Sequence, residues 1–553
     1  MREDSSPGRD SHGKQMLTKT NYAAGLQCLK RLFFEKHRRE LRDPLSEEDQ
    51  ARMAEGTEVG ELARGLYPGG RLIKNPPWKQ DEAEAATRKR IEGGAKAIYE
   101  AALSAGELGV RVDILSRSSA PPRDGFMRFA GEPRRADVPD RGQLGLFGGG
   151  DSDSWEIIEV KSGMSPRGDS GPKDEYLEDV AFQTLVAVRS GLPVSAAKLA
   201  LLNRNYVYPG GEHDLRELFV VVDVSRRVEG MIAEIEPRIE WMLEVIAGSE
   251  APEIEINLHC DKPYRCRFYI HCHRDMSRDD ILCLPRIGKE KIETLRAQGV
   301  RMIGDIPEGF RLSPTQERVR RAVATGEPYL GEGLAEELDR LRFPIHFLDF
   351  ETVATGLPKY IGTRPYQVVP FQWSDHVLFD DGRLEHLEFL HRTADDPREP
   401  FCTSLATAIE GAGSIVVYSS YEEKQLKGLE EWRSDLAESI LHQFQETQFD
   451  LYELIRKFVY LPEFGGSLSL KKVVPAVVPQ LDYKDLEIQE GGTATVRFAR
   501  MIHPDTEAEE TSRIASDLLA YCERDTLTMV RMVEALRELA GAKADRSIGP
   551  WRS

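Results

Sequence analysis

The sequence predicts a mixed α/β protein of two domains joined by a small helical linker. Its 553 residues exceed what one hydrophobic core usually serves, since domains commonly hold about 100 to 200 residues. Short apolar runs typical of strands alternate with longer helical patterns in both halves, and the two halves do not resemble each other. We expect a tail (1–16), a first domain (17–280), the linker (281–335), a second domain (336–545) and a second tail (546–553).

Charge, cysteine content and hydropathy exclude several classes of protein. The formal net charge is −19, from 74 basic and 93 acidic residues. This charge argues against a surface that binds nucleic acid everywhere, but not against local basic grooves beside acidic centres. Seven cysteines are not a disulfide framework in a chain of this size, so any cysteine cluster indicates metal or redox chemistry. Because no run of about 18 apolar residues occurs and residues 1–16 are polar, we expect no membrane span, no signal peptide and a cytoplasmic protein.

The first domain begins with helical patterns, at residues 17–33, 47–66 and 81–104. Residues 109–115 then alternate in the manner of a half-buried strand. Residues 117–154 are rich in Ser, Pro, Gly, Arg and Asp, which predicts a long mobile insertion before the next strand.

The strand at residues 155–163 organises this half. Its Glu159 and Lys161 point to the same face, because side chains two apart on a strand do so. A buried carboxylate beside an ammonium is costly unless both are used. Further elements are expected as a helix (179–191), two strands (197–202 and 217–224) and a long amphipathic helix (228–247).

The linker contains a pattern at residues 284–295 that resembles a worn helix-hairpin-helix, whose glycine turn offers backbone N–H groups to a phosphate. A small helical linker without that role fits equally well. A polar helix at 313–325 leads to the second domain, which opens with an apolar strand at 344–352. Further strands are expected at 367–374, 384–390 and 414–418, and helices at 421–430, 434–457, 468–474 and 513–540.

Three elements of the first domain carry a set of polar residues in a defined order. Asp113 lies on one strand, Glu159 and Lys161 on its neighbour, and Gln183 on the next helix. This order resembles the RecB-like branch of the PD-(D/E)xK nucleases. The resemblance implies that the two acids bind Mg²⁺ or Mn²⁺ and that Lys161 orients the attacking water, while Gln183 holds the lysine or the nucleic acid in register. A structural ion pair is the alternative for an isolated Glu-x-Lys motif.

The chain departs from that family at two positions. Val59 stands where the family often has a metal-binding histidine, and Glu58 or Glu61 could substitute for it. Ala187 replaces a tyrosine that often follows the glutamine.

Four cysteines flank this set. One lies upstream and three downstream, as in RecB-like nucleases that carry an iron-sulfur clasp, and the resemblance implies a 4Fe-4S cluster. Structural zinc is the alternative ligand, and unrelated buried thiols are a third interpretation. The remaining Cys283, Cys402 and Cys522 are expected to be buried thiols only. The four proposed ligands are Cys28, Cys260, Cys266 and Cys272.

The second domain carries three motifs that resemble the DEDD exonucleases, which have an RNase H-like fold. Asp349 and Glu351 share one face of the opening strand. Glu422 follows the strand at 414–418, where the family usually has aspartate. Tyr521 and Asp525 match the third motif and share a helical face. The resemblance implies four acids around two Mg²⁺ or Mn²⁺ ions, with the tyrosine positioning the water.

Two alternatives stay open in this domain. A run of acids can be solvated surface, although the apolar residues around Asp349 argue for burial. Asp450 is a second candidate for the third acid, or a residue that supports the site.

A short segment of the insertion resembles the peptide by which bacterial repair proteins dock on the sliding clamp. Two large apolar side chains would lie in a segment too polar to bury them, so a partner pocket could take them. The alternative is that they fold back on the first domain. The residues concerned are Gln143, Leu144, Leu146 and Phe147.

Together these patterns predict two nuclease domains, a PD-(D/E)xK core and an RNase H-like core. We expect a metal-dependent nuclease that acts on DNA ends or single strands in repair or recombination, with 3′ to 5′ hydrolysis implied for the second site. Nucleic acid is the expected partner, DNA favoured over RNA. The alternatives are a nucleic-acid-binding scaffold with one or both sites inactive, and an RNA-processing exonuclease.

Overall fold

The computed structural model describes residues 16–130, 154–168 and 170–541. The segment predicted to dock on a sliding clamp, residues 143–147, lies outside these ranges. Within them, no helix has both the length and the apolar composition needed to cross a bilayer.

The chain divides into two compact units. The N-terminal unit comprises the residues up to Arg274 together with 356–359 and 363–365, and the C-terminal unit comprises the rest. Each unit combines helices with a central sheet, so the predicted mixed α/β class is confirmed.

The N-terminal unit is built on a seven-stranded sheet among its described residues. Its strands are β1 (Leu17–Thr18), β2 (Arg71–Leu72), β3 (Ala97–Ala105), β4 (Leu108–Ser118), β5 (Ser154–Met164), β6 (Val194–Leu202) and β7 (Phe219–Asp223). Its helices are α1 (Lys19–Gln27), α2 (Leu29–His37), α3 (Glu47–Ala63), α4 (Gln80–Glu92), α5 (Asp124–Met127), α6 (Asp174–Arg189), α7 (Leu215–Leu218), α8 (Ser225–Ala247) and α9 (Tyr269–His273).

The sheet has the order β2-β3-β4-β5-β6-β7, and β1 pairs with β4. The pairs β3/β4, β4/β5 and β6/β7 are antiparallel, whereas β5/β6 is parallel. Helices α6 and α8 share one hydrophobic core with these strands, and α6 is buried continuously from Val180 to Val188. Gln183 is a polar side chain within that buried run, which is costly unless it is hydrogen-bonded.

Two helix predictions for this unit are wrong. The segment 81–104 is helical only as far as Glu92, because Gly93 and Gly94 end α4 and the following residues pair with β4 as strand β3. The segment 17–33 is not one helix, because Cys28 adopts an extended backbone (φ −165°, ψ 123°) that separates α1 from α2. This corner fixes where the Cys28 thiol lies.

The C-terminal unit contains a five-stranded sheet among its described residues. The strands of the unit are β8 (Tyr329–Leu330), β9 (Ile345–Val353), β10 (Val369–Leu378), β11 (Leu384–Leu390), β12 (Ser414–Val417), β13 (Gln448–Asp450) and β14 (Val459–Tyr460). Its helices are α10 (Lys289–Ala297), α11 (Pro314–Thr325), α12 (Leu334–Leu338), α13 (Arg398–Ala408), α14 (Tyr421–Trp432), α15 (Ser434–Thr447), α16 (Leu451–Phe458), α17 (Leu470–Val477), α18 (Gly491–Met501) and α19 (Ala508–Leu539).

The five strands follow the order β11-β10-β9-β12-β13, antiparallel from β11 to β9 and parallel from β9 to β13. Helix α19 is fixed to β10 by polar contacts. Gln372 donates to the Leu518 carbonyl over 2.8 Å, and Thr526 Oγ1 lies 2.9 Å from Ser374 Oγ and 2.8 Å from His376 Nδ1. These contacts set the position of the residues next to Thr526.

The predicted helix at 434–457 is also wrong, because strand β13 interrupts it. Asp450 ends this strand and caps α16 by accepting from the Glu453 backbone N–H over 2.9 Å. Helix α18 was not expected from the sequence. The helix-hairpin-helix at 284–295 stays a prediction; the structure has α10 there, preceded by a short 3₁₀ turn.

Candidate active sites

The N-terminal unit brings two acids together across the antiparallel strands β4 and β5. Ile114 pairs with Ile158, so Asp113 and Glu159, one step further along each strand, are neighbours. The backbone N–H of Val160 donates to Asp113 Oδ2 over 2.8 Å. The Glu159 side chain is buried, whereas the Asp113 side chain is 25% exposed and open to solvent on one side.

Glu159 is surrounded by three donors. Lys161 Nζ lies 2.9 Å from its Oε1, and Gln183 Nε2 donates to its Oε2 over 2.7 Å. The third donor is Lys19, the first residue of α1, whose Nζ lies 2.8 and 3.0 Å from the two oxygens. Lys161 also pairs with Asp179, one helical turn before Gln183. The predicted residues therefore lie together, and Lys19 and Asp179 join them.

Burial and neighbouring charges together set the protonation states of Asp113 and Glu159. Burial, and then the charge of Glu159, raise the pKa of Asp113 to about 7, although Lys19 opposes this shift. Burial alone would raise the pKa of Glu159, but Lys161 and Lys19 hold that pKa below its ordinary value. Glu159 is therefore ionised near neutral pH, and Asp113 is the carboxyl that gains or loses a proton.

Helix α3 carries Val59 and the two acids that could substitute for the histidine. Val59 is fully buried, whereas Glu58 and Glu61 are exposed and Glu61 lies 3.6 Å from Arg64. An apolar side chain therefore stands where the nucleases that the motif resembles often have a histidine.

The four predicted cysteines line one cavity of about 50 Å³ in the N-terminal unit. Phe34 contributes an aromatic wall. Burial raises the pKa of the thiols of Cys260, Cys266 and Cys272, and Cys28 raises it further in each case. The break between α1 and α2 thus places Cys28 in the same cavity as the three downstream cysteines. The lining cysteines are Cys28, Cys260, Cys266 and Cys272.

Among the described residues, one group of three or more His, Cys, Asp or Glu side chains has all its ligand atoms within 4.8 Å of one another, and it does not include these thiols. Four thiolates that line one cavity suit either an iron-sulfur cluster or a structural zinc ion.

The group with close ligand atoms lies in the C-terminal unit and consists of Asp349, Glu351 and Cys522. Strand β9 places the two acids on one face, and α19 places the thiol opposite. Cys522 Sγ is 3.7 Å from Asp349 Oδ2, and burial with the charge of Asp349 raises the pKa of this thiol well above its ordinary value. Cys522 is therefore a neutral donor to Asp349. Sequence analysis assigned it no role, because nothing in its motif marks it.

Glu422 and Asp525 complete a buried group of four acids. Burial, and then the charges of Asp525, Glu422 and Glu351, raise the pKa of Asp349 well above its ordinary value. Burial, together with the charge of Asp450, raises the pKa of Glu422 to about 8. Glu422 Oε2 is buried and has no hydrogen-bond partner among the described residues. Such a concentration of buried carboxylates fits a site for divalent cations.

Tyr521 lies beside these acids on α19, one turn before Asp525. Lys471 of α17 donates to the Tyr521 hydroxyl over 3.0 Å, and the Tyr483 hydroxyl donates to Asp525 Oδ1 over 2.5 Å. Neither Lys471 nor Tyr483 belongs to a motif of the sequence analysis. Each comes from the segment between the second and third motifs, which carries no pattern that singles them out.

Asp450, the second candidate for the third acid, interacts with α16 and with Glu422 in the structure. Its side chain caps α16, and its charge acts on Glu422. Of the other cysteines, Cys402 is buried and Cys283 is half-buried, and neither lines the thiol cavity.

One protein family and one individual protein are similar to parts of this chain. Residues 346–469 match a family described as a domain of unknown function (DUF2779), a stretch that holds Glu422 but ends before Asp525. The chain is 23% identical over 217 residues to an uncharacterized protein of Ureaplasma parvum serovar 3 (UU173). That match covers 35% of this chain and 31% of the relative's length. No solved structure matches. The function is therefore inferred from the sites themselves.

Proposed function

We propose that this chain is a metal-dependent nuclease with two separate active sites, which hydrolyses phosphodiester bonds of DNA ends or single strands in repair or recombination. The observation that carries the proposal is the buried group of Asp349, Glu351, Glu422 and Asp525. These acids come from three separate elements, and the charges of Asp525 and Glu422 raise the pKa of Asp349 and of Glu351, which is costly without a cationic ligand. The order of these acids and of Tyr521 along the chain is that of the DEDD exonucleases.

In the C-terminal site, bound Mg²⁺ or Mn²⁺ would polarise the scissile phosphate and lower the pKa of the attacking water. The four acids would hold the ions. The Tyr521 hydroxyl, held by Lys471, would orient the water, and Cys522 would hold Asp349 in position. The resemblance to the DEDD exonucleases implies stepwise hydrolysis from a 3′ end.

In the N-terminal site, Asp113 and Glu159 would hold the metal and Lys161 would orient the water. The pairs that Lys161 makes with Glu159 and Asp179 fix its ammonium group at the acids. Gln183 would position Glu159 rather than the lysine, since its amide donates to the carboxylate. The set supports a RecB-like nuclease, with the four cysteines holding an iron-sulfur cluster.

A second candidate function is a nucleic-acid-binding scaffold with one or both sites inactive. Two observations favour it: Val59 offers no metal ligand, and the Lys19 ammonium already contacts the acids. An RNA-processing exonuclease is a third candidate, and the choice of substrate separates it from the first.

The test is an assay of the purified chain with Mg²⁺ or Mn²⁺ on end-labelled single-stranded DNA, duplex DNA and RNA. We expect cleavage of DNA, and we expect Asp349→Asn to slow stepwise trimming from the 3′ end by at least about 10²-fold, as loss of a metal-binding acid does. Asp505→Asn, an exposed acid of the same unit, is the control and should cleave normally. No cleavage with either metal would favour the scaffold, and cleavage of RNA alone would favour the third candidate.

A further inference from the structure

The ammonium group of Lys19 occupies the space between the two acids of the N-terminal site. It lies 2.8 Å from Glu159 Oε1 and 3.7 Å from Asp113 Oδ1. The other Asp113 oxygen is engaged by the Val160 N–H, and Glu159 Oε2 also accepts from Gln183. A divalent ion shared by the two acids would need the oxygens that Lys19 contacts.

The charges around the acids also disfavour a divalent cation at this position. Asp113, Glu159 and Asp179 face the ammonium groups of Lys19 and Lys161, which leaves a single negative charge when all are ionised. A divalent cation in such a site meets two positive charges at short range, and repulsion at these distances is strong in a partly buried site. Removing one ammonium would leave a site that attracts a cation.

Helix α1 holds Lys19 in this place by contacts along its length. Thr18 caps the helix by accepting from the Asn21 N–H, and the Tyr22 hydroxyl donates to Glu178 over 2.7 Å. The Tyr22 ring also stacks on Phe182, with ring centres 4.6 Å apart. Helix α1, which carries Lys19, is therefore fixed to helix α6, which carries Asp179 and Gln183.

The far end of α1 is held at the cysteines. Gln27 Nε2 lies 2.9, 3.0 and 2.8 Å from the carbonyl oxygens of His259, Lys262 and Tyr264, and Cys28 follows it directly. The side chain of Lys19 is only 24% exposed. Lys19 is thus a built-in part of the site and not a surface lysine that happens to approach it.

We propose that Lys19 is a tethered cation that occupies the divalent-metal position of Asp113 and Glu159 and competes with metal for it. The inference rests on the proposed function for the identity of these acids as metal ligands. It means that the N-terminal site needs a higher metal concentration than the C-terminal site, and that Lys19 must move aside when metal enters.

The test is a titration of the full chain with Mn²⁺, in which free Mn²⁺ is followed by electron paramagnetic resonance without nucleic acid. Asp349→Asn and Asp525→Asn are present throughout, to remove ligands of the C-terminal site. On this background Lys19→Met should tighten Mn²⁺ binding at least tenfold, and a further Asp113→Asn should abolish the gain. Lys198→Met is the matched control and should change nothing, since Lys198 pairs with Glu156 outside the acids.

Lys19→Gln keeps a donor to Glu159 without the charge, and it carries the test if Lys19→Met does not fold. An affinity that is unchanged or weaker in both variants would overturn the inference, because Lys19 would then assist metal binding or leave it alone. The titration is independent of catalysis. A chain that cleaves DNA without this gain would overturn only the inference, whereas a chain that shows the gain but never cleaves would overturn only the proposed function.

Discussion

At the scale of single residues, Tyr521 is the side chain whose chemistry can be separated from metal binding. Burial, followed by the charges of Asp525, Glu351 and Asp349, raises its pKa far above the ordinary value, so the hydroxyl stays neutral. A neutral hydroxyl held by Lys471 can orient a water molecule but is a poor metal ligand.

We therefore expect Tyr521→Phe to slow trimming from the 3′ end by about 10²-fold while leaving Mn²⁺ affinity within about twofold. Single-turnover rates on end-labelled DNA and a Mn²⁺ titration measure the two quantities. Tyr418→Phe is the control, since that hydroxyl donates to the Leu468 carbonyl over 2.7 Å. A normal rate for Tyr521→Phe would remove the residue from the mechanism.

The sequence identified the residues that belong to motifs and missed those that do not. Asp113 and Glu159 could be predicted as neighbours because strand alternation and antiparallel pairing follow from local pattern. Lys19 lies 140 positions from Glu159 in the chain, and nothing near it indicates that α1 would place it there. Asp179 could have been predicted from the sequence, because it precedes Gln183 by one turn on the same helix.

At the scale of elements, the contact between α19 and β10 depends on a neutral histidine. Burial, and then the charges of His386 and Arg531, lower the pKa of His376 to about 3. The unfolded chain binds a proton at His376 below about pH 6.5, and the folded protein does not bind it until about pH 3. This group therefore contributes stability above that window and loses it as the pH falls.

We expect the unfolding free energy of the wild type, relative to His376→Asn, to fall by up to about 1.4 kcal/mol for each pH unit below 6.5. Chemical denaturation between pH 7 and pH 5 measures the difference. His442→Asn, at a side chain that is 71% exposed, should show no such trend. A difference that is constant with pH would mean that His376 has the same pKa in the folded and the unfolded protein.

Several elements also show where the local sequence pattern fails to predict the secondary structure. Residues 97–105 are rich in alanine and read as helix, yet they form β3 because pairing with β4 outweighs intrinsic preference. Cys28 interrupts a continuous helical pattern, and no single residue there marks the break. The strand that carries Glu159 and the strand that carries Asp349 were predictable, since each is a short apolar run with clear ends.

The cysteine corner gives a prediction for the N-terminal unit. The purified protein should be brown with broad visible absorbance, and Cys266→Ser should remove the colour and lower the unfolding midpoint of the N-terminal unit only. The reason is that a cluster would join Cys28 to a segment more than two hundred residues away, and releasing such a long loop costs stability. Cys283→Ser, whose thiol does not line the cavity, should keep the colour. A colourless protein with stoichiometric zinc would contradict the cluster.

At the scale of the whole molecule, the two units carry separate acid groups that share no residue. The acids of one unit lie on β4 and β5, and those of the other on β9, α14 and α19. The net charge of −19 is consistent with two such acidic centres, and a nucleic-acid substrate would have to be bound by local basic groups. If the sites are independent, removing one should leave the products of the other.

The most direct test of this claim compares product ladders on 3′- and 5′-labelled single-stranded DNA at saturating Mn²⁺. The wild type is compared with Lys161→Met, Asp525→Asn and the double variant. We expect Asp525→Asn to lose stepwise 3′ trimming and keep a second cleavage pattern, Lys161→Met to do the reverse, and the double variant to be inert. Identical ladders from the two single variants, or undiminished cleavage by the double variant, would contradict the two-site account.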